Sequence, residues 1–572
     1  MNVLLLTLVV IAYFLIGYRF YGNLIDRKLI KPNDETPTAA VEYDDGVDYS
    51  PAKTPFLWGH HFASIAGAGP IIGPILAVAW FGWGPPVLWI TLGSLFMGAV
   101  HDYLSLMLSV RNKGKGIAEI AGAAVGERTK MAFAVLIWLT LVFIITVFAA
   151  SGAKALAGYP ALVLPTFGIS IVAVFMGYAV YRLKTNTWVT SLLGVAASYL
   201  LIWLGFEFPL AFPDSMSEHA QVIWIITILF FYCGVASVLP VWLLLQPRDF
   251  LSSIQLFVGL TLAFIGILFV SPEISAPFNI GSFSLRGSHP VWPILFITVA
   301  CGAISGFHTM VATGTTSKQL ARESHGKIVA FGGMLAEGVL AFVVVITVAA
   351  GLTWGTAPEA LVGDERLNYF QTALDVSWIQ AFGTGFGNIV GKVGIPFLGA
   401  ALSALLGATM VKTFVMTSLD TSTRLGRFVF GETIAKNIPL LRNRIVSTLV
   451  LLIPAYILAV SNSYGQIWKM FGASNQLIAA VTLLTVSAYL AGQKRPTAYT
   501  LIPSVIMIVT TLGALLWGLC NQAGGYLRPD SLNIMLSVIS IVLILLSLLI
   551  VADVVSALRA YAKSDKELGT VD

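Results

Sequence analysis

Five ionisable side chains sit inside stretches otherwise too apolar to carry charge: His61, Asp102, His308, Glu337 and Lys412. A charge at membrane depth needs a partner or water, because burying it unpaired costs several kcal/mol. Imidazole titrates nearest neutrality, so His61 and His308 suit proton coupling or a hydrogen bond to an anionic substrate. Glu337 and Lys412 read as an intramembrane ion pair whose breaking accompanies transport; alternatively, Lys412 substitutes for a coupling cation. Asp102 lies one or two turns from the basic end of its span, so the plainest partner for it is Arg111.

Each of the two histidines adjoins a glycine-rich stretch. The first is GHHFASIAGAGPIIGP at 59–74 and the second CGAISGFHTMVATGTT at 301–316. A membrane helix can lose its regular backbone only where protein or a watery cavity satisfies the freed N–H and C=O groups, so such clusters mark a binding site. Pro70 suits the first turn of a half-helix, and the amides around Gly69 to Ile72 then point the positive end of its dipole at a carboxylate. Ala66, Gly67, Gly69 and Pro70 are the candidate substrate contacts from the first break; Ser305, Gly306 and Thr309 complete the site from the second.

Other chemistry finds less support. His60 and His61 are neighbours about 100° apart on a helix and do not converge on one ion. There is no HExxH pair, and Cys233, Cys301 and Cys520 form no CxxC motif. No metal and no cofactor is expected. With no GxxxxGK[ST] loop, ATP-driven transport requires a partner subunit. The alternatives to a transporter are an intramembrane metalloenzyme using His61, His308 and Asp102, and a passive channel.

The elements that must position these residues are membrane helices. Of 572 residues, 57% are hydrophobic and 11% charged, against about a quarter charged in a soluble domain. Apolar segments recur near 2–23, 55–83, 86–110, 131–152, 162–181, 187–206, 220–246, 250–271, 291–313, 328–354, 394–418, 445–460, 465–492, 497–520 and 531–556. The expectation is an all-α polytopic membrane protein of about 15 spans, with discontinuous second and ninth helices. Placing the 24–54 loop in the cytoplasm gives 26 Lys and Arg on the inner side, through to Lys566, and 5 outside, Arg286 among them. That bias sets the N-terminus outside and the C-terminus in the cytoplasm. The two broken helices then run antiparallel, as an inverted repeat requires.

Residues 1–54 are expected to form a leading helix and loop, 55–271 and 291–492 two membrane repeats, and 493–572 the C-terminal helices and tail. The acidic run Glu42, Asp44, Asp45, Asp48 reads as solvated. The 355–393 stretch, with Leu367, Phe370, Leu374 and Trp378 at helical spacing, reads as an amphipathic element on the outer surface. Lys469 reads as a snorkelling residue and Asp553 as interfacial.

With these motifs in place, the sequence closely resembles the carbon starvation protein A family of bacterial inner-membrane transporters. Besides the two glycine-rich stretches, the resemblance rests on GAVHDYLSLMLSVRNKGKGIAEI (98–120), LPVWLLLQPRDFL (239–251), LDTSTRLGRF (419–428) and FGASNQ (471–476). The resemblance implies starvation-induced uptake of peptides or, in a close branch, proton-coupled import of pyruvate, with no enzymatic activity. It also implies a five-plus-five inverted-repeat core, as in the amino acid, polyamine and organocation transporters. The broken helices would be the first and sixth members of that core. Two departures stand out. Six spans, not four, separate the breaks, and the chain is compact between the tenth and eleventh spans. His101-Asp102 falls where family members have Gln-Asp, so the family's role transfers to Asp102 and not to His101. The implied partners are a small carboxylate-bearing substrate, a proton or cation, and the lipid bilayer.

Overall fold

In lipid, a segment of about 20 apolar residues satisfies its own backbone only as a helix, and helices make up the spanning structure. The computed structural model describes residues 2–46, 49–213, 215–282, 284, 289–361, 363–461, 464–521 and 524–563. Asp48, Arg286 and Lys566 lie outside these described residues.

The first helix, α1 (Val3–Ile30), starts at Asn2, whose side chain accepts the Leu4 and Leu5 N–H groups. A broken pair follows, α2 (Thr54–Ile65) and α3 (Gly69–Phe81), bent by 46°. Six continuous helices come next: α4 (Gly84–Arg111), α5 (Glu127–Gly158), α6 (Pro160–Tyr181), α7 (Thr187–Glu207), α8 (Glu218–Val238) and α9 (Leu245–Val270). The second broken pair is α10 (291–298) and α11 (Gly306–Gly314). Beyond it lie α12 (Glu323–Gly351), α13 (Trp378–Val390), α14 (Ala400–Gly431) and α15 (Arg444–Val460). The last three are α16 (Gln466–Gly492), α17 (Ala498–Cys520) and α18 (Ile534–Lys563).

Among the described residues, 12 helices are long and apolar enough to cross a membrane, or 13 with the bent pair taken as one span. The remaining two expected spans are the second broken pair, whose halves are each short, and α15 with its 17 residues. The chain is an all-α, multi-pass membrane protein. Its centre is α16, 94% of whose apolar window is buried, whereas 22% is buried in the peripheral α7.

One region departs from the sequence reading. The segment expected on the outer surface instead enters the protein: Phe370 and Trp378 are buried, as is nearly all of α13. The reason is its small-residue face, where Gly383 and Gly387 lie against the backbone carbonyls of Ala404 and Ala400 on α14. The 24–54 loop is tied down as well. Ser50 and Ala52 donate their N–H groups to the Lys318 and Gln319 carbonyls, each at 3.0 Å, and the Thr38 hydroxyl donates to Leu320 O at 2.6 Å. Asp44 and Asp45 accept nearby backbone N–H groups of Gly46 and Tyr49.

Lys469 lies over the rings of Trp80 and Trp517, at 5.7 and 5.1 Å. Asp553 is partly exposed and lies 3.9 Å from Arg128.

Candidate functional site

Both glycine-rich stretches interrupt their helices. Residues 66–68 leave the helix between α2 and α3, and 299–305 do so between α10 and α11. The chain contacts α3 to α10 and α2 to α11, so the broken helices cross in opposite directions. They touch at the breaks. A Cβ on Gly69 would lie 2.4 Å from Cys301 Sγ, and one on Gly73 would lie 2.5 Å from the Thr298 carbonyl, so only glycine permits this approach. Within 61–70, only Ser64 and Gly67 are half-buried and the others are buried; Gly67 faces the Ser418 hydroxyl of α14.

Freed backbone groups at the second break are met by side chains. Trp89 Nε1 donates to Val299 O at 3.1 Å, and the Ser94 hydroxyl donates to Gly302 O at 2.8 Å. Asn475 of α16 accepts the Phe307 N–H at 2.9 Å, which caps α11, and its amide donates to the Ser305 hydroxyl at 3.0 Å.

A fully buried chain of ionisable groups runs from α4 across α11 to α12. Asp102 lies at its middle: His101 Nδ1 is 2.7 Å from Oδ1, and His308 Nδ1 is 2.8 Å from Oδ2. His101 Nε2 meets the Thr309 hydroxyl at 2.7 Å, and Thr309 in turn reaches Thr482 at 3.3 Å. On its other side His308 Nε2 is 3.0 Å from Glu337 Oε2. That contact has ion-pair distance without hydrogen-bond alignment, and both Glu337 oxygens lack a hydrogen bond among the described residues. With Asp102 ionised, both imidazoles donate to it through Nδ1–H. A proton shared between His308 Nε2 and Glu337 then removes the repulsion between a bare nitrogen and a carboxylate.

This geometry corrects two expected pairings. Asp102 does not pair with Arg111, which forms a part-buried bidentate pair with Glu323, 2.8 and 2.7 Å. Glu337 does not pair with Lys412 either. Lys412 Nζ is buried against Gly152 of α5, without a hydrogen-bond partner among the described residues. The structure thus joins Asp102, His308, Glu337 and Thr309, and leaves Lys412 apart. His61 contacts the Thr316 hydroxyl at 2.9 Å beyond the end of α11, and its Nε2 has no hydrogen-bond partner among the described residues.

Asn475, Thr482 and the bridging position of His101 were not legible in advance. Also missed was a second buried ionic cluster, in which Arg248 of α9 grips Asp420 of α14. Its Nη1 contacts Oδ2, its Nη2 meets Oδ1 at 3.0 Å, and Tyr232 OH donates to Oδ2 at 2.9 Å. The residue types gave a signal, since Arg248 and Asp420 both stand beside apolar runs, but no spacing links positions so far apart.

The family model for carbon starvation protein CstA matches residues 2–368 and 371–514. The chain belongs to this family. It is 32% identical to the peptide transporter CstA of Bacillus subtilis, over 99% of this chain and 98% of that one. To the pyruvate/proton symporter BtsT of Escherichia coli it is 30% identical, covering 88% of this chain and 80% of the symporter. Among solved structures, a mutant of the Eremococcus coleocola manganese transporter overlaps 88% of this chain and 94% of its own, with a TM-score of 0.42 and 14% identity. In this CstA-family chain, the FGASNQ motif supplies the capping Asn475, and the GHHF and GFHT motifs supply His61 and His308.

Proposed function

We propose that this chain is a secondary active transporter of the bacterial inner membrane that imports a small carboxylate-bearing nutrient, a peptide or pyruvate-like acid, together with a proton. The observation that carries the reading is His308 held between two buried carboxylates one helical turn from the second break. As imidazolium, His308 donates to Asp102 and faces Glu337 with opposite charge. As neutral imidazole it donates to one side only. Arrival or departure of one proton therefore changes how α4, α11 and α12 are held together, and α11 starts at the break.

In this mechanism the substrate carboxylate meets the first-turn N–H groups where α3 begins, with Ala66, Gly67, Gly69 and Pro70 lining its approach, and Ser305, Gly306 and Thr309 face it from α11. Entry of substrate separates the two breaks, which are packed together in the present conformation. Thr309 links cargo to coupling, since its hydroxyl meets His101, which in turn holds Asp102. His61 joins the first broken helix to the end of the second through Thr316 and moves with them. Lys412 acts as a second coupling group, because a buried ammonium with no hydrogen-bond partner among the described residues is relieved when it meets an anion or gives up its proton. Residues 55–271 and 291–492 serve as the two repeats that rock about the site, with the N-terminus outside and the C-terminus cytoplasmic.

Proteoliposomes of the purified protein, offered labelled pyruvate and labelled dipeptides under an imposed inward proton gradient, test this. Accumulation of one class above the external concentration, abolished by a protonophore, is expected. Fluxes of both classes that neither saturate nor concentrate would replace the transporter with a passive channel.

A further inference from the structure

Three helices, α4, α11 and α16, run together from the relay toward the Arg111 end of α4, and each turns one face to the other two. On α4 that face carries Gly98, Asp102, Ser105 and Ser109, at helical spacing. Gly98 lies against the Ala303 carbonyl of the second break, Asp102 holds His308, and the Ser109 hydroxyl donates to Ser317 Oγ at 2.9 Å. On α16 the matching face carries Asn475, Ile478, Thr482, Thr485 and Tyr489. Gly306 of α11 packs on Asn475 and Ile478, and the Thr309 hydroxyl donates to Thr482 at 3.3 Å. The register therefore carries Ser105, Thr485 and Tyr489 into the seam between the helices.

All three are buried, yet Ser105 Oγ, Thr485 Oγ1 and Tyr489 OH have no hydrogen-bond partner among the described residues. A serine or threonine inside a helix can satisfy itself on the carbonyl four residues back, as Thr313 and Ser487 do here, each at 2.8 Å. Ser105 and Thr485 forgo that bond, although leaving a buried hydroxyl unmet is costly. Hydroxyls one turn apart are separated by about 5.4 Å along the axis, a gap that a single water spans with two hydrogen bonds. One end of the seam is Asp102. The other is the part-buried Arg111–Glu323 pair, and Tyr489 lies within electrostatic reach of Arg111. The lysine and arginine bias marks that end as cytoplasmic.

We propose that this seam carries the coupling proton from Asp102 to the cytoplasmic face, with Ser105, Thr485 and Tyr489 handing it on through water. The proposal rests on the proton-coupled reading above and adds its route. His308 gives its Nδ1 proton to Asp102 Oδ2, the acid so formed gives it to a water, and each hydroxyl then takes one proton as it releases its own. One proton enters and one leaves. Every hydroxyl ends neutral, and Asp102 is again a carboxylate. His101 holds Asp102 in place and carries no proton.

Full-length protein in proteoliposomes loaded with a pH-sensitive dye, with pyruvate or dialanine added outside, tests the route. Wild-type protein is expected to acidify the lumen when one of the two is added. S105A/T485V removes two hydroxyls of the seam and is expected to slow that acidification at least about tenfold, while exchange of labelled for unlabelled substrate keeps the wild-type rate. S105A/T485S returns one hydroxyl and is expected to recover most of the lost rate, which a packing defect would not. Y489F loses only a hydroxyl, carries the same expectation as the alanine–valine pair, and decides the matter if that pair fails to fold. Acidification at the wild-type rate by S105A/T485V or by Y489F overturns the route and leaves the coupled reading intact. Wild-type uptake without acidification overturns that reading, and the route with it.

Discussion

At the scale of residues, the chemistry of the site comes down to which groups share Asp102. Two imidazoles reach it, one through each oxygen, and His101 also hydrogen-bonds the Thr309 hydroxyl beside the second break. Removing His101 therefore unties Asp102 from Thr309 and leaves a buried oxygen without its donor, a cost of about 1–3 kcal/mol. Glutamine supplies an N–H at similar reach, so H101Q is expected to retain proton-driven uptake while H101A loses most of it. Initial rates in proteoliposomes across external pH check this, and equal activity of the two variants would remove His101 from the relay. The residue types in this cluster were legible because charges in apolar runs are conspicuous. Their pairing was not. Asp102 and His308 are far apart in sequence, and nearer candidates, Arg111 for Asp102 and Lys412 for Glu337, were plausible on chemistry alone until the fold placed Glu323 against Arg111 and His308 against Glu337.

At the scale of elements, the account rests on two helices that break where they touch. Glycine and proline are local signals, so both interruptions were readable from the sequence. Their mutual contact depends on tertiary packing; the charge bias gave only their opposite directions. Gly73 is where α3 comes closest to the backbone of the other break, with the Thr298 carbonyl where a side chain would begin. G73A is expected to destabilise the protein by about 1–3 kcal/mol through overpacking, read as a lower thermal midpoint in detergent. G59A, on the same broken helix but with open space around it, is expected to leave the midpoint unchanged. The Arg248–Asp420 pair fastens α9 to α14 in the interior. D420A strands a buried guanidinium and is expected to cost about 3–5 kcal/mol in the same measurement, more than any break-site variant. A D420A midpoint equal to wild type would make that pair dispensable. Helix α13 was the element least legible in advance. It is short, and its 355–393 stretch reads as an outer-surface element until the alanines of α14 supply a face that accepts its glycines.

At the scale of the whole molecule, composition was sufficient to exclude a soluble protein and to divide the chain into segments that the structure fills with helices or broken pairs. The matching family model and full-length relatives fix the family, and the breaks and the relay give that membership a physical content. Substrate identity was not readable, since cavity volume is set by tertiary packing. The lysine and arginine asymmetry carries the proposed orientation, and with it the direction in which a proton gradient drives uptake. The most direct test of the central claim compares wild type and H308A in the same proteoliposomes, measuring uptake with and without an imposed proton gradient alongside exchange of labelled for unlabelled substrate. The gradient is expected to accelerate wild-type uptake at least about tenfold and to leave H308A unaffected while H308A still exchanges substrate. Gradient-driven accumulation by H308A equal to that of wild type would contradict the claim that His308 couples the proton to the cargo.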